Sequence, residues 1–250
     1  MGTHLYFASG SSGKLFEVNF NNWDWVDRPL NILVAYPFVP SWRSMKGNQN
    51  GTFQPARTML DSGAYSAWKS GLTIDFEGLC QEAKDGGWNE VVALDVIGDG
   101  EKSLANALEM KSRGLTVIPV FHFAEPWDIL AEYKKHFERI GLSGSGAPRN
   151  PYQKWLEQCF ARAYPAKFHG FGLATKSIMF KFPFYTVDTA SWASTVRFGR
   201  TLTHPKLRIP RQREIGDEGY DVRFEILTYL RVEKEVQERW RAEFNKNGWD

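Results

Sequence analysis

Short apolar runs alternate with longer amphipathic segments along most of the chain. Eight of these runs have the length and the content of Val, Ile, Leu and Phe that buried strands show, and most are separated by enough residues for a helix. We predict strands at residues 5–8, 31–36, 58–61, 90–95, 115–122, 139–144, 166–173 and 184–188.

The clearest amphipathic helix is at residues 101–114, where Leu104, Ala107, Leu108 and Met110 share one face and Gly114 ends the segment. Similar spacing predicts helices at residues 74–87, 127–138, 151–163 and 222–245. Residues 37–55 are rich in Pro, Gly and Asn, so we expect a long loop there that could cover a substrate.

Eight strands that alternate with helices predict an α/β protein, a closed (β/α)8 TIM barrel, more than an open doubly wound sheet. The 250 residues suit one such barrel. We assign residues 1–200 to a catalytic barrel and residues 201–250 to a basic segment and a C-terminal helix packed on it.

Charge and cysteine content limit the partners and the cellular compartment that we expect for the protein. The formal net charge is +2, so a polyanion would have to be held by a local basic patch. The two cysteines, Cys80 and Cys159, lie far apart in helix-like segments and form neither a disulfide framework nor a metal site. No run approaches the roughly 20 apolar residues of a membrane span. We expect a cytoplasmic protein without a membrane partner.

Four potentially reactive side chains stand at the ends of apolar runs. Asp61 ends TMLD, Asp95 ends VVALD, His122 ends VIPVFH, and Asp188 follows YTV. The carboxyl ends of the strands in a parallel barrel meet at one face, which carries the chemistry in such enzymes. Any one of these aspartates could instead cap a helix, and His122 alone could be a packed histidine. Together they predict one active site with several carboxylates.

Five stretches resemble tRNA-guanine transglycosylases, in the same order and at similar spacing. The chain has LDSGAYSAW at residues 60–68, which resembles their D-S-G-G-[FY]-Q stretch, and VVALD at residues 91–95, which resembles their next strand. It has IGLSGSG at residues 140–146 and FHGFGL at residues 168–173, which are similar to their I-G-G-L and L-M-G-V-G stretches. VDTASW at residues 187–192 resembles the segment with their nucleophile.

The resemblance covers roughly residues 5–199 and is strongest to the compact, phage-type 7-deazaguanine DNA transglycosylases. Two departures bear on the substrate. The Cys-x-Cys-x-x-Cys and His zinc site of the tRNA enzymes is absent, which favours DNA over tRNA. His122 stands where those enzymes have a glutamine, so a different group would contact the edge of the base.

The resemblance implies a base exchange that replaces guanine with a free, preQ0-like 7-deazaguanine base and requires no cofactor or metal. Asp188 would be the nucleophile and Asp61 the general acid and base. Asp95 would hold the amino and ring nitrogens of the purine. The other implied base-binding residues are His122, Tyr65, Ser143, Gly144, His169 and Gly170, with Tyr65 and His169 on the two faces of the ring.

A run of basic residues follows the proposed nucleophile. Such a run is often only a solvated face, but its position makes it a candidate for contacts with the phosphates of DNA. Its members are Arg197, Arg200, Lys206, Arg208, Arg211 and Arg213.

Four other functions remain open from the sequence. The same carboxylates could act on RNA, or could activate water in a nucleoside or glycoside hydrolase. An Asp-rich mouth could also hold Mg²⁺ for metal-assisted hydrolysis. Finally, the barrel could bind nucleic acid without catalysis. The sequence leaves the oligomeric state open.

Overall fold

The computed structural model describes residues 2–8, 28–48, 55–144, 149–193 and 218–249, and for residues 45–48, 149–150 and 218–224 only the backbone. Among these residues nine strand segments form one sheet, in which every pair of neighbours is parallel. The segments are β1 (His4–Ala8), β2 (Asn31–Ala35), β3 (Arg57–Asp61), β4 (Glu90–Val92), β5 (Val117–Ile118), β6 (Val120–His122), β7 (Arg139–Ser143), β8 (Lys167–Gly170) and β9 (Thr186–Thr189).

The sheet closes at Pro119. The order of neighbours runs from β5 through β4, β3, β2, β1, β9, β8 and β7 to β6. Segments β5 and β6 are separated by Pro119 alone, whose carbonyl accepts a hydrogen bond from the Gly141 amide at 2.7 Å. Proline cannot donate to a ladder, so the predicted fifth strand is divided into two pieces. The nine segments therefore make the predicted eight-stranded barrel.

Helices surround the barrel. They are α1 (Val39–Asn48), α2 (Ala64–Ser70), α3 (Phe76–Asp85), α4 (Gly100–Ser112), α5 (Trp127–His136), α6 (Arg149–Ala163), α7 (Lys176–Lys181) and α8 (Glu218–Asn247). No helix of the described ranges is long and apolar enough to cross a membrane.

Two apolar cores follow from the alternation of side chains along each strand. The larger lies between the strands and the helices and includes Ile32, Leu60 and Val187. The smaller fills the inside of the barrel with Tyr6, Leu33, Met59, Val92, Ile118 and Val120.

The last helix, α8, packs on the outside of the barrel beside β1. The buried Glu233 carboxylate accepts a hydrogen bond from the Leu5 amide at 2.9 Å. The Gln237 side chain donates to the carbonyl of Thr3, and the Trp240 indole donates to the carbonyl of Met179 in α7. This helix therefore joins the end of the chain to its first strand.

The sequence did not predict three of the helices that the structure contains. Residues 39–48 of the predicted loop form α1, so the expectation of a long irregular segment was wrong for that part. Helix α2 begins at Ala64, directly after the turn at Gly63, and α7 lies between the last two predicted strands, where we expected no helix. Residues 49–54 lie outside the described ranges.

Candidate active site

The carboxyl ends of the strands bring the predicted side chains to one end of the barrel, which we call the mouth. Asp61 is the last residue of β3, His122 the last of β6 and Ser143 the last of β7. Asp188 lies in β9, and Asp95 lies three residues beyond β4. The side chains of Asp95, Ser143 and Asp188 are buried.

Asp61 has the pKa of a proton donor near neutral pH. Burial and the negative charges of Asp95 and Asp188 raise its pKa from 3.8 to about 7, although the backbone amides of Gly63 and Ser62 act in the opposite direction. The Gly63 amide donates to Asp61 Oδ2 at 3.2 Å. The three carboxyl groups therefore interact electrostatically at one site, as the positions of the strand ends predict.

Asp95 is held by two neighbours. The Ser62 hydroxyl donates to its Oδ1 at 2.9 Å, and His122 Nε2 lies 2.8 Å from its Oδ2. Each carboxylate oxygen can accept a second hydrogen bond, so this arrangement fixes the orientation of Asp95 and leaves it able to accept from a bound base. Ser62 was not among the residues that we expected at the site.

His122 is bonded to Asp95 and supported from behind by Glu125. Burial lowers the pKa of His122, but the hydrogen bond with Asp95 and the charges of Asp95 and Glu125 outweigh it and place that pKa above its ordinary value. Glu125 Oε2 accepts a hydrogen bond from the His122 amide at 2.9 Å. Ala124 between them has a φ of 72°, a strained value for a residue other than glycine. A buried glutamate therefore supports the histidine.

Asp188 is held through one oxygen. The Gly172 amide donates to its Oδ1 at 2.8 Å, and His169 Nε2 lies 3.4 Å from the same atom. Within the described part of the chain Oδ2 accepts no hydrogen bond. One oxygen is therefore anchored and the other is available, as attack on a sugar carbon requires.

The structure places His169 beneath the mouth, inside the barrel, and not on a face of a bound base. Its side chain has 0% exposure, and its ring contacts Phe171 edge-on with 4.3 Å between centroids. Its Nδ1 lies 2.8 Å from the hydroxyl oxygen of Thr186. The same oxygen accepts a hydrogen bond from Arg139 Nη2 at 2.8 Å. A fully enclosed ring offers no face for stacking, so the expected pairing of His169 with Tyr65 around the base is not present.

An ionic network around the buried Glu90 lies below His169. Arg139 Nη1 lies 2.7 Å from Glu90 Oε2, and Arg57 Nη2 lies 3.0 Å from Glu90 Oε1. Two steps along a strand return a side chain to the same face, so Arg139 shares the interior face of β7 with Ser143, and Arg57 that of β3 with Asp61. The alternation places both arginines on interior faces, but their pairing with Glu90 depends on the closed barrel.

The two glycines of the predicted base site have little room for a side chain. A Cβ on Gly144 would lie 1.8 Å from the Tyr152 ring, and one on Gly170 would lie 3.0 Å from the Phe184 ring. The Ser143 carbonyl accepts a hydrogen bond from the Phe123 amide at 2.9 Å. Backbone at this edge of the mouth is therefore packed closely against aromatic rings.

Tyr65 and Trp68 stand exposed on α2, which begins three residues after Asp61. Their exposed fractions are 46% and 60%, and their ring centroids are 6.1 Å apart. We expected Tyr65 at the site, but Trp68 was not identified. An exposed aromatic pair of this kind is a surface on which unpaired bases can stack.

Some expectations concern other parts of the chain. The basic residues proposed for phosphate contacts, Arg197, Arg200, Lys206, Arg208, Arg211 and Arg213, lie outside the described residues. In the described ranges no group of three or more His, Cys, Asp and Glu side chains is arranged to hold a metal ion. A cavity of about 510 Å³ lies at the opposite end of the barrel from the carboxylates, and its lining includes Arg57, Glu90, Lys111 and Arg139.

Comparisons with known proteins agree on the fold. No family model matches the chain, and no curated protein matches it. The structure is similar to that of YdjI aldolase from Escherichia coli K12, with a TM-score of 0.52 and 11% identity over 94% of this chain and 90% of that chain. It is also similar to the tryptophan synthase alpha chain from Legionella pneumophila subsp. pneumophila, with a TM-score of 0.56 and 9% identity over 94% and 93% of the two chains. The protein therefore has the TIM-barrel fold, which it shares with these two enzymes.

Proposed function

We propose that the protein is a transglycosylase that replaces guanine in DNA with a 7-deazaguanine base through a covalent aspartyl-sugar intermediate. The observation that carries this proposal is that two carboxyl groups at the mouth differ in their surroundings, one suited to donate a proton and the other to act as a nucleophile. Asp61 has a pKa of about 7, and Asp188 is anchored through one oxygen only. A proton donor beside a nucleophilic carboxylate is the arrangement that retaining cleavage of a glycosidic bond needs.

In the first displacement, Asp188 Oδ2 bonds to the sugar carbon C1′ as the bond from C1′ to guanine breaks. The electron pair of that bond goes to guanine, and Asp61 supplies the proton that neutralises it. A pKa near 7 means that Asp61 is protonated in a substantial fraction of molecules at neutral pH.

In the second displacement, the ring nitrogen of the incoming base attacks C1′ from the face that guanine left. The proton of that nitrogen goes to Asp61, and the bond between C1′ and Asp188 breaks, which regenerates the carboxylate. Asp95, fixed by Ser62 and His122, would hold the same base edge in both half-reactions. Two inversions give overall retention.

The resemblance and the exposed aromatic pair support DNA with an unstacked target as the substrate. A base must leave the helical stack to reach a carboxylate at a barrel mouth, which costs a few kcal/mol. Tyr65 and Trp68 could stack against neighbouring bases once the target has left.

The decisive experiment is base exchange followed by mass spectrometry. The purified protein is incubated with a guanine-containing DNA strand or with RNA of matching sequence, together with a free 7-deazaguanine base. We expect incorporation into DNA and none with the Asp188→Ala variant. Incorporation into RNA alone would identify a tRNA-type activity instead.

Release of guanine without incorporation would identify a hydrolase that uses the same carboxylates. Binding of DNA with no chemical change in either polymer would favour a non-catalytic barrel. Either result would overturn the proposed exchange.

A further inference from the structure

His169 is a fully enclosed imidazole with one nitrogen in a firm hydrogen bond and the other directed at the proposed nucleophile. Its Nδ1 lies 2.8 Å from the Thr186 hydroxyl. Its Nε2 is buried, makes no hydrogen bond of ordinary geometry, and lies 3.4 Å from Asp188 Oδ1. A buried polar nitrogen in such a position requires an explanation, because leaving it unsatisfied costs about 1–3 kcal/mol.

The neighbours of His169 determine which nitrogen carries the proton. An arginine can only donate, so the bond between Arg139 and Thr186 uses the hydroxyl oxygen of Thr186 as acceptor. The hydroxyl proton of Thr186 is then free to point at His169 Nδ1. A lone pair on Nε2 would face the Asp188 carboxylate and be repelled, whereas a proton there is attracted.

We propose that His169 is a positioning residue for Asp188, held by Arg139 and Thr186 as the tautomer that carries its proton on Nε2. Arg139 donates to Thr186 and Thr186 donates to His169, so the proton on His169 Nε2 faces Asp188 Oδ1 across 3.4 Å. Hydrogen bonds aligned in this way polarise one another and strengthen the chain. Glu90, which is paired with Arg139, fixes the lower end.

This arrangement makes the two oxygens of Asp188 unequal. Oδ1 faces two donors, the Gly172 amide and His169 Nε2, so Oδ1 is held and Oδ2 is the oxygen left for the attack on C1′. When Asp188 leaves C1′ in the second displacement, the same donors stabilise the returning negative charge. This role in attack and departure rests on the proposed transglycosylase function, but the tautomer of His169 does not.

Nitrogen-15 NMR of histidine-labelled protein tests the tautomer without any substrate. The chain has five histidines, and the His169→Gln variant assigns the signals of His169 by their loss. We expect the proton on Nε2 and an unprotonated Nδ1 in the wild-type protein. In Thr186→Val, which replaces the hydroxyl with a methyl group of similar size, we expect a mixture of tautomers. Protonation of Nδ1 in the wild-type ring, neutral or charged, would overturn the proposal.

A matched pair of variants tests the effect on Asp188. The amide nitrogen of glutamine can reach the position of Nε2, whereas that of asparagine reaches only the position of Nδ1. We expect His169→Gln to form the covalent intermediate within about 5-fold of the wild-type rate, and His169→Asn to be slower by about 10- to 100-fold. Binding of the free 7-deazaguanine base should be equal in the two variants.

Melting temperatures separate positioning from packing. If both variants have the same melting temperature and form the covalent intermediate equally slowly, His169 contributes only packing, and the proposed role is overturned. If the wild-type protein forms no covalent intermediate with DNA or RNA, the transglycosylase function fails, and the NMR result still decides the tautomer.

Discussion

Asp61 is a carboxyl group that interacts electrostatically with two other carboxyl groups. Burial and the charges of Asp95 and Asp188 place its pKa at about 7, far above the ordinary value of 3.8. The same surroundings that make it a proton donor at neutral pH oppose its ionisation in the folded state. A functional carboxyl of this kind costs stability, which a substitution can recover.

We predict that Asp61→Asn stabilises the protein above pH 7. Between pH 4 and pH 7 the folded state retains a proton that the unfolded state has released, so the free energy of unfolding falls as the pH rises. An amide cannot ionise and avoids this loss. Because Asp61 is partly exposed, we expect the variant to be more stable than the wild-type protein by about 1–3 kcal/mol at pH 8. This gain is smaller than the free energy to which the full pKa shift corresponds. Denaturant unfolding at pH 5 and pH 8 measures the difference.

Glu238→Gln is the matched control, because Glu238 is an exposed carboxylate on α8. It should change the free energy of unfolding by no more than about 0.5 kcal/mol at either pH. An Asp61→Asn variant that is less stable than the wild-type protein at pH 8 would show that Asp61 is not held in the unfavourable environment described.

The side chains at the mouth of the barrel are easier to predict from the sequence than those deeper in its interior. Asp61 and Asp188 follow apolar runs, so their positions at strand ends are visible in the pattern. Arg57 and Arg139 stand at the starts of strands, where a basic residue usually belongs to a solvated loop. Only the closed barrel brings them together around Glu90 from strands 33 and 49 residues away.

At the scale of elements, the turn between β3 and α2 sets the position of the acid. Gly63 has a φ of 76°, and a Cβ there would lie 2.5 Å from Pro37 Cδ. Its amide also donates to Asp61. The turn therefore needs glycine for two reasons, the backbone conformation and the close approach of a proline ring.

We predict that Gly63→Ala destabilises the protein by about 2–4 kcal/mol, since both strain and a clash are introduced. Gly71→Ala is the matched control, because Gly71 has a φ of 67° but no atom within 4 Å of the added Cβ. Strain alone should cost about 1 kcal/mol there. Thermal unfolding of both variants separates the two contributions, and equal losses would show that Pro37 moves aside without cost.

Helix α2 also presents Trp68 to solvent next to the mouth. We predict that Trp68→Ala weakens binding of single-stranded DNA by about 5- to 100-fold, the range expected for the loss of one stacked base. Trp68→Phe should retain most of the affinity, because it retains an aromatic face. The melting temperature should stay close to that of the wild-type protein in both, since the side chain is mostly exposed. Equal affinities for Ala and Phe would exclude stacking at this position.

Element prediction from sequence succeeded where hydrophobic spacing was regular and failed where short elements carry polar residues. The eight strands were predicted with errors of a few residues, because each is an apolar run between turn residues. Helix α1 contains Pro40 and Gly47, which argued for a loop. Helix α7 has only six residues, too few to show a helical period.

At the scale of the whole molecule, the interior of the barrel is divided into layers with different tasks. Ion pairs around Glu90 lie at the lower end, apolar side chains such as Met59 and Val92 fill the middle, and carboxyl groups line the mouth. The polar chain from Arg139 through Thr186 and His169 crosses the apolar layer. The lower end of the barrel is therefore connected to the proposed nucleophile.

Helix α8 contacts the first strand from outside the barrel. Glu233 is fully buried on this helix, where it accepts a hydrogen bond from the Leu5 amide and forms an ion pair with Arg28. Glu235, two residues away, forms exposed ion pairs with Lys176 and Arg231. Substitution of each glutamate in turn therefore allows a buried polar contact to be compared with surface ion pairs on the same helix.

We predict that Glu233→Ala lowers the free energy of unfolding by about 2–3 kcal/mol, because the buried amide of Leu5 loses its acceptor. Glu235→Ala should cost no more than about 1 kcal/mol. Glu233→Gln should fall between them, since an amide oxygen can still accept from Leu5. Denaturant unfolding followed by tryptophan fluorescence measures all three. If Glu233→Ala were no more harmful than Glu235→Ala, β1 would be held by its neighbours β2 and β9 alone, and α8 would be dispensable for closing the barrel.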